Sequence, residues 1–467
     1  MSGLALVADR LGARVTGTDR AESSYMERLR AVGLEPGLGH DAGAVPEAAD
    51  VVVSSAVADD NPELERARSR GQRIIHRGEL LAELSRLKRL IAVAGAHGKS
   101  TTAALIAHGL RETGEDPAFL VGGEVRAPDG SLANAGWGDG EWMVAEADES
   151  DGSFLELAPE IAVITNLELD HHSHWSSEAA LRDAFGRFAA GAKGLVLPVG
   201  LELVAPSDQK GGDGEALVVR VAPPGEDGAA PAIAVTSEDL ALTAHGSTLS
   251  VRCEAATAKV ELPLPGRHNV ANALTALGAL WLAADRDESR LRSYATTLAS
   301  FRGVARRLER RGSLNGAEVY DDYAHHPTEV AAALAALRES KPRRLIAAFQ
   351  PHLYSRTNAL ARRFGTALAA ADEVVVLDVY PAREEPVGLL AGVSGVLVAD
   401  AAADSSGGRP VWWAPTLDSA ERALRRLAAD GDVVVTLGAG DVFELGDRLI
   451  GDPGVPAAGG SEGVENR

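Results

Sequence analysis

An α/β class with parallel sheets is what this sequence predicts, on three observations. Short apolar runs ending in polar or glycine-rich residues recur at 90–94, 141–146, 161–166, 344–349, 373–378 and 432–437. Ala-, Leu- and Arg-rich stretches with the apolar spacing of helices separate them, the alternation expected of parallel strands joined by crossover helices. One of the runs, Leu90-Ile-Ala-Val-Ala94, leads through Gly95-Ala-His-Gly-Lys-Ser100 into a helical pattern. Strand, Gly-rich turn with Lys-Ser, then helix is the layout of a phosphate-binding loop.

In chain order, the first stretch predicts strands at 14–19, 50–55 and 73–76, the second and third rich in Val or Ile. The middle stretch holds the phosphate loop and then two apolar strands that end in Glu146 and Asn166. That placement matters because ligands of doubly wound sheets sit outside the carboxyl ends of the strands. The last stretch begins near Phe301, and its final strand runs into Gly438-Ala-Gly-Asp441. Residues 205–232, rich in Gly, Pro, Ala and acids, read as a poorly ordered surface excursion, and 452–467 as a solvated tail.

A chain of 467 residues exceeds one core and suggests about three domains. The balance of 46 basic against 67 acidic residues, net −21, argues against a nucleic-acid partner. An anionic substrate must therefore be held by local Arg, Lys and helix N-termini. No apolar run approaches the ~20 residues of a membrane span, and no basic segment of a cleavable signal opens the chain. The single cysteine, Cys253, excludes an intrachain disulfide and reads as a small buried apolar residue. Cytoplasmic localisation is the expectation.

In the turn, glycines let backbone N–H groups converge on phosphate oxygens, Lys99 reaches the terminal phosphates, and the Ser100 hydroxyl serves Mg²⁺. Val93 stands where the general pattern has glycine, so the loop is a shortened one. Glu146 and Asp148-Glu-Ser-Asp151 concentrate carboxylates nearby, either around a Mg²⁺–nucleotide or as a solvated acidic loop. Asp170-His-His-Ser-His174 allows zinc, although no cysteine lies near, or a His-rich surface loop. Arg306-Arg307, Tyr320-Asp-Asp-Tyr-Ala-His-His-Pro-Thr328 and Phe349-Gln-Pro-His-Leu-Tyr-Ser-Arg356 form a third cluster. There the planar fork of an Arg suits a carboxylate or phosphate.

Six motifs together resemble the Mur ligase family, in its alanine-adding branch, over nearly the whole chain. They are Gly95-Ala-His-Gly-Lys-Ser-Thr-Thr102, Glu146-Ala-Asp-Glu-Ser-Asp-Gly-Ser-Phe154, Gly266-Arg-His-Asn-Val-Ala-Asn-Ala273, Asp321-Asp-Tyr-Ala-His-His-Pro-Thr-Glu329, Phe349-Gln-Pro-His352 and Gly438-Ala-Gly-Asp441. The resemblance implies a three-domain architecture: a UDP-sugar-binding Rossmann-like domain over 1–88, a central P-loop ATPase domain over 89–301, and a C-terminal Rossmann-like domain over 302–451. The tail 452–467 follows. It also implies an ATP-dependent amide-bond ligase of peptidoglycan synthesis and cell wall biogenesis. ATP phosphorylates the lactyl carboxylate of UDP-N-acetylmuramic acid, and the amine of L-alanine displaces phosphate from the acyl phosphate.

The implied roles fall residue by residue. Gly95, Ala96, His97, Gly98, Lys99, Ser100 and Thr101 cradle ATP, with Ser100, Glu146 and His171 as Mg²⁺ ligands. His268, Asn269 and Asn272 match the adenine region, and Arg307 and Asp322 the part of the C-terminal domain that meets the nucleotide. Tyr323, His325 and Arg356 match the alanine pocket, Arg356 taking the carboxylate. Lys99, His325 and Arg356 are the expected catalytic set. Asp19, Ser54 and Ser55 match the uridine side of the sugar nucleotide, and His97 and Ser150 count among the substrate residues.

Two departures qualify the match. Leu353 stands where the family often carries a further Arg. The family's first strand and its diphosphate loop ending in Gly-Met-Ser-Gly are expected ahead of Met1-Ser-Gly-Leu4, so the first domain is expected to lack its first strand. A start placed at an internal Met or a truncated chain would each produce this. In the second case, weak nucleotide-sugar binding with intact ATP binding is the expectation. Rival readings are a Mur-type ligase for another amino acid or a tripeptide, and an inactive nucleotide-binding homologue.

Overall fold

The structure is a computed structural model that describes residues 1–127, 129–169, 175–203, 216–224, 234–382 and 384–451. Contacts divide it into one compact unit over residues 1–305 and a second from Arg306 onward.

The first 88 residues of the first unit form two separate parallel pairs, Thr18–Asp19 with Gly37–Leu38 and Val51–Val53 with Ile74–His76. The strand expected over 14–19 shrinks to two residues because nothing from Leu11 to Gly17 is buried, leaving no face to pack. Side-chain caps hold the helices here. Ser23 accepts the Met26 N–H ahead of Ser24–Ala31, and Asn61 accepts the Glu63 N–H ahead of Pro62–Ser69, which has Pro in its first turn. Leu4, Val7 and Leu84 join Ala135 in a small apolar cluster.

A ten-stranded sheet fills the rest of this unit, with Arg89–Ala94 lying between Trp142–Glu146 and Ile161–Ile164 and parallel to both. The two-residue period of a strand decides its packing. Ile91 and Val93 enter a core with Leu105 and Ile106 of the helix Lys99–Glu112 and Leu277 of the helix Arg267–Ala283. Leu90, Ala92 and Ala94 enter a second core with Phe154, Phe185 and Phe188. Burying each large side chain contributes about 1.5–3 kcal/mol, so the strand is held from both faces.

The excursion expected over 205–232 needs correction. Leu217–Val221 is a strand that pairs parallel with Gly194–Pro198 and with the start of Ala234–Thr243. Its Leu-Val-Val-Arg-Val run is short enough to be masked by the glycine- and acid-rich residues around it. Residues 204–215, 225–233 and the tail 452–467 lie outside the described residues. Cys253 is fully buried, and burial pushes its thiol up to about 12, as suits an inert apolar residue.

The second unit is a six-stranded sheet in the order Glu309–Leu314, Ala317–Asp322, Val433–Leu437, Leu345–Phe349, Glu373–Val376, Val411–Trp413. Only the first pair is antiparallel. Helices Pro327–Arg338, Tyr354–Leu368 and Val396–Ser405 cover one face, and Leu417–Leu427 and Phe443–Ile450 the other. The last strand in sequence inserts between the second and third, which makes a switch point at their carboxyl ends. Among the described residues no helix is long and apolar enough to cross a membrane.

The helix Lys99–Glu112 buries the imidazole of His108. His108 Nε2 lies 3.0 Å from both Thr297 O and Ser300 Oγ, with its ring edge-on to Phe301. Burial holds this imidazole below its ordinary value of 6.5. The native state therefore favours the neutral ring: its contribution is present above the unfolded pKa and is lost as pH falls through the depressed folded value. Thermal denaturation of the wild type and of His108→Gln from about pH 7.5 to about pH 5 checks this. The wild-type midpoint should fall more steeply, the two profiles diverging as the pH drops.

Candidate active site

The turn from Gly95 to Gly98 is closely crowded by its neighbours. Gly95 has φ +132° and Gly98 +81°; a Cβ at Gly95 would lie 2.2 Å from Thr165 Oγ1, and one at Gly98 2.3 Å from Asn272 Oδ1. Conformation and space both require glycine at these positions. Asn166 brackets the turn: its Oδ1 accepts the His97 N–H at 3.0 Å and its Nδ2 donates to His97 O at 2.8 Å. The Thr165 hydroxyl donates to the same carbonyl at 2.6 Å, and His97 Nε2 stands 3.0 Å from Glu168 Oε2.

Lys99 opens the helix and is nearly buried, its ammonium donating to Gly95 O at 2.7 Å and to Glu149 at 3.0 Å. Burial lowers the pKa of this amine, but the charges of Glu149, Glu146 and Asp148 outweigh it and hold it above the ordinary value. Burial also pushes the Glu149 carboxyl up, so the partners pull in opposite directions. The ammonium is the firmer charge, because three carboxylates support it. Ser100 Oγ donates to Glu146 Oε2 at 2.8 Å, and the Gly122 N–H reaches the same oxygen at 2.7 Å. A hydroxyl and a carboxylate beside a lysine at a helix start fit Mg²⁺, which takes one or two protein oxygens and completes its shell with phosphate and water. The third expected ligand, His171, lies outside the described residues.

A second charged group adjoins this one. Arg77 Nη2 donates to Asp148 Oδ2 at 2.6 Å and to Asp151 Oδ2 at 3.0 Å, and Ser55 Oγ reaches Asp151 Oδ2 at 3.2 Å. Burial raises the Asp148 carboxyl, but Lys99, Ser150 and Arg77 outweigh it and the group stays below the usual range. Ser150 donates its N–H to Asp148 Oδ1 at 3.0 Å. Asp19 is exposed at the end of its short strand, accepting the Ala21 N–H at 3.4 Å. Asn269 and Asn272 are buried in the first turns of Arg267–Ala283: Asn269 donates to Pro265 O at 2.8 Å and Asn272 to Asn269 Oδ1 at 3.4 Å. His268 is half-buried beside them.

In the second unit the functional candidates gather at the switch point. Asp321 is fully buried and accepts from Thr436 Oγ1 at 2.6 Å and Arg306 Nε at 3.1 Å, while Arg306 also donates to Gly438 O at 2.7 Å. Asp322 accepts the Leu308 and Ala324 N–H groups at 2.7 and 2.8 Å. Burial, opposed by Arg307, pushes its carboxyl up to about 7. Arg306 and Arg307 stand 5.0 and 5.2 Å from the Tyr323 ring centroid. His325 Nδ1 lies 3.0 Å from Tyr323 O; a carbonyl only accepts, so the neutral ring carries its proton on Nδ1 and Nε2 is basic. The His325 ring meets Tyr323 and His352 edge-on. Arg356 sits in the first turn of Tyr354–Leu368, behind Leu353 at φ +68°.

Comparison with known proteins follows these motifs along the whole chain. The Mur ligase family catalytic domain matches residues 1–89, the Mur ligase middle domain 93–280, and the Mur ligase glutamate ligase domain 306–440. A UDP-N-acetylmuramate–L-alanine ligase of Rubrobacter xylanophilus is 43% identical over 96% of this chain and 97% of its own. The chain belongs to the Mur ligase family. Another UDP-N-acetylmuramate–L-alanine ligase, from Streptomyces coelicolor, is 40% identical over 96% of this chain and 94% of its own. Among solved structures, the UDP-N-acetylmuramate–alanine ligase of Thermotoga maritima superposes with a TM-score of 0.78 at 28% identity, covering 96% of this chain and 95% of its own. A murein peptide ligase of Psychrobacter arcticus reaches 0.65 at 25%, covering 96% and 95%.

In this Mur ligase the first unit brings together Gly95–Ser100, Glu146, Asn272, Ser55 and Ser150, and the second Arg307, Asp322, Tyr323 and His325. Arg77, Thr165 and Asn166 carry no expected role, yet they tie the phosphate turn and the acidic loop in place. The position of Thr165-Asn166 at the end of an apolar strand is the signal that could have marked them. Gly98→Ala should meet both the Asn272 carbonyl oxygen and a backbone strain of about 1–3 kcal/mol. Calorimetric titration should show ATP affinity falling at least tenfold, with a lower melting temperature.

Proposed function

We propose that this Mur ligase uses ATP to join L-alanine to the lactyl carboxylate of UDP-N-acetylmuramic acid. The observation that carries the reading is the Ser100–Glu146 pair at 2.8 Å beside Lys99 at the mouth of three parallel strands. The full-length identity to UDP-N-acetylmuramate–L-alanine ligases supplies the substrates. A carboxylate is a poor electrophile until one of its oxygens becomes a good leaving group. Transfer of the terminal phosphoryl group to the lactyl oxygen, with ADP leaving, achieves that. The alanine amine then attacks the acyl carbon, loses a proton, and releases phosphate as the amide forms.

In such transfers the protein's share is positioning and charge neutralisation. We assign Lys99 and the turn N–H groups to the phosphates, and Ser100 and Glu146 to Mg²⁺, with His171 as a further candidate ligand. The cation would offset phosphate charge when bound. Asn269 and Asn272 act from beneath the turn, with His268 beside them on the adenine side, and Arg307 and Asp322 are likewise assigned to the nucleotide. The alanine pocket is assigned to Tyr323, His325 and Arg356: His325 is assigned as the base for the amine, and Arg356 pairs with the carboxylate. Asp19, Ser54, Ser55, His97 and Ser150 are assigned to the sugar nucleotide. The domain limits 1–88, 89–301 and 302–451 are kept as working boundaries. Its substrates, ATP and a nucleotide sugar, support a cytoplasmic site of action.

Two variants test the assignment. Lys99→Ala should abolish ADP formation driven by UDP-N-acetylmuramic acid and L-alanine while the circular dichroism spectrum is kept; near-normal turnover would refute it. Arg356→Ala should lose a charged hydrogen bond worth about 1.5–3 kcal/mol. Steady-state kinetics should then show the KM for L-alanine raised roughly ten- to a hundredfold, with a much smaller change for ATP. Equal weakening of both substrates would move Arg356 to the nucleotide.

A further inference from the structure

Lys99 has its donors committed. An ammonium carries three N–H groups; here Gly95 O lies at 2.7 Å, Ala96 O at 3.5 Å, and Glu149 places both carboxylate oxygens at 3.0 Å. A phosphate oxygen reaches Lys99 only by displacing one of these partners. The two carbonyls belong to the crowded turn and move only with its backbone. The Glu149 carboxylate rides on side-chain torsions and is the exchangeable partner.

What holds Glu149 in place is equally specific. Its side chain is 3% exposed, so solvent does not hold it. Its carbonyl accepts the Trp175 indole N–H at 2.9 Å. The residues before and beyond it, Asp148 and Asp151, are drawn to one guanidinium, that of Arg77, in the first turn of Arg77–Ser85. Arg77 comes from the first 88 residues and reaches the acidic loop through Asp148 and Asp151. It also faces the Ser55 side, where the sugar nucleotide is assigned.

We propose that Glu149 is a positioning residue of the nucleotide site, holding Lys99 until phosphate takes its place, and that Arg77 sets how firmly it holds. The inference rests on the reading of Lys99 as the phosphate-binding lysine. A competitor for the lysine lowers apparent nucleotide affinity by the fraction of time it is engaged. Removing its charge should therefore tighten nucleotide binding, whereas loss of a merely structural or metal-supporting carboxylate would weaken it. The sign of the change separates the two.

Calorimetric titration with ATP and Mg²⁺ on the full-length wild type, Glu149→Gln, Arg77→Gln and the double variant tests this. Glu149→Gln should lower the Kd for ATP roughly three- to tenfold. Arg77→Gln should lower it about twofold, and the double variant should match Glu149→Gln alone, since both act on one element. Unchanged or weaker binding in both single variants would overturn the proposal, as would additive effects in the double. If Glu149→Gln does not fold, Arg77→Gln decides alone: tighter binding supports the proposal, and unchanged or weaker binding overturns it. Wild type that binds no ATP would overturn the phosphate-loop reading itself and the inference with it, an outcome distinct from wild-type binding that the variants leave unmoved.

Discussion

The turn from Gly95 to Gly98 is enclosed by Thr165 and Asn166 on one side and Asn272 beneath, at distances that leave no room for a Cβ. Much of the first unit follows from that enclosure. The strand before the turn must be straight and buried to deliver it, which the two cores around Ile91 and Ala92 secure. The helix after it must start at Lys99, because Gly98 already uses a left-handed conformation. Backbone N–H groups can approach an anion only where side chains are excluded. The crowding that forbids a Cβ is thus also what shapes the cradle.

Charge is arranged around this steric frame. The chain carries a net −21, yet the cations nearest the phosphate turn are each surrounded by carboxylates, Lys99 by Glu149 and Arg77 by Asp148 and Asp151. Such pairs keep the positive groups in fixed directions, because a buried ion needs every partner satisfied. The second unit applies the same device at its own switch point, where Arg306 joins a fully buried Asp321 to the Gly438 carbonyl.

The legible parts of the chain were those with local signals. The alternation of strand 90–94 and the spacing of Gly95, Gly98 and Lys99 lie within a dozen residues, and the structure places them as expected. Asp321-Asp322 and Gly438 were readable because they close apolar strands. Leu217–Val221 was hidden by the composition of its neighbours, although its own residues are strand formers. Arg77 was hidden for another reason. Its partner Asp148 lies about seventy residues away, and no local pattern encodes such a pairing. The strand at 14–19 is only two residues long because a β-like run needs something to pack against.

The double-sided burial of Arg89–Ala94 has a consequence for how this protein can change over time. Successive residues belong to different cores, so dropping or adding one residue anywhere in the strand would exchange its two faces. Ile91 would be driven among the phenylalanines and Ala92 into a space sized for isoleucine. The same slip would carry the turn about 3.3 Å along the strand axis, away from Asn166 and Asn272. Length is therefore frozen here even where individual side chains could be exchanged, and insertions and deletions must find their place elsewhere in the chain.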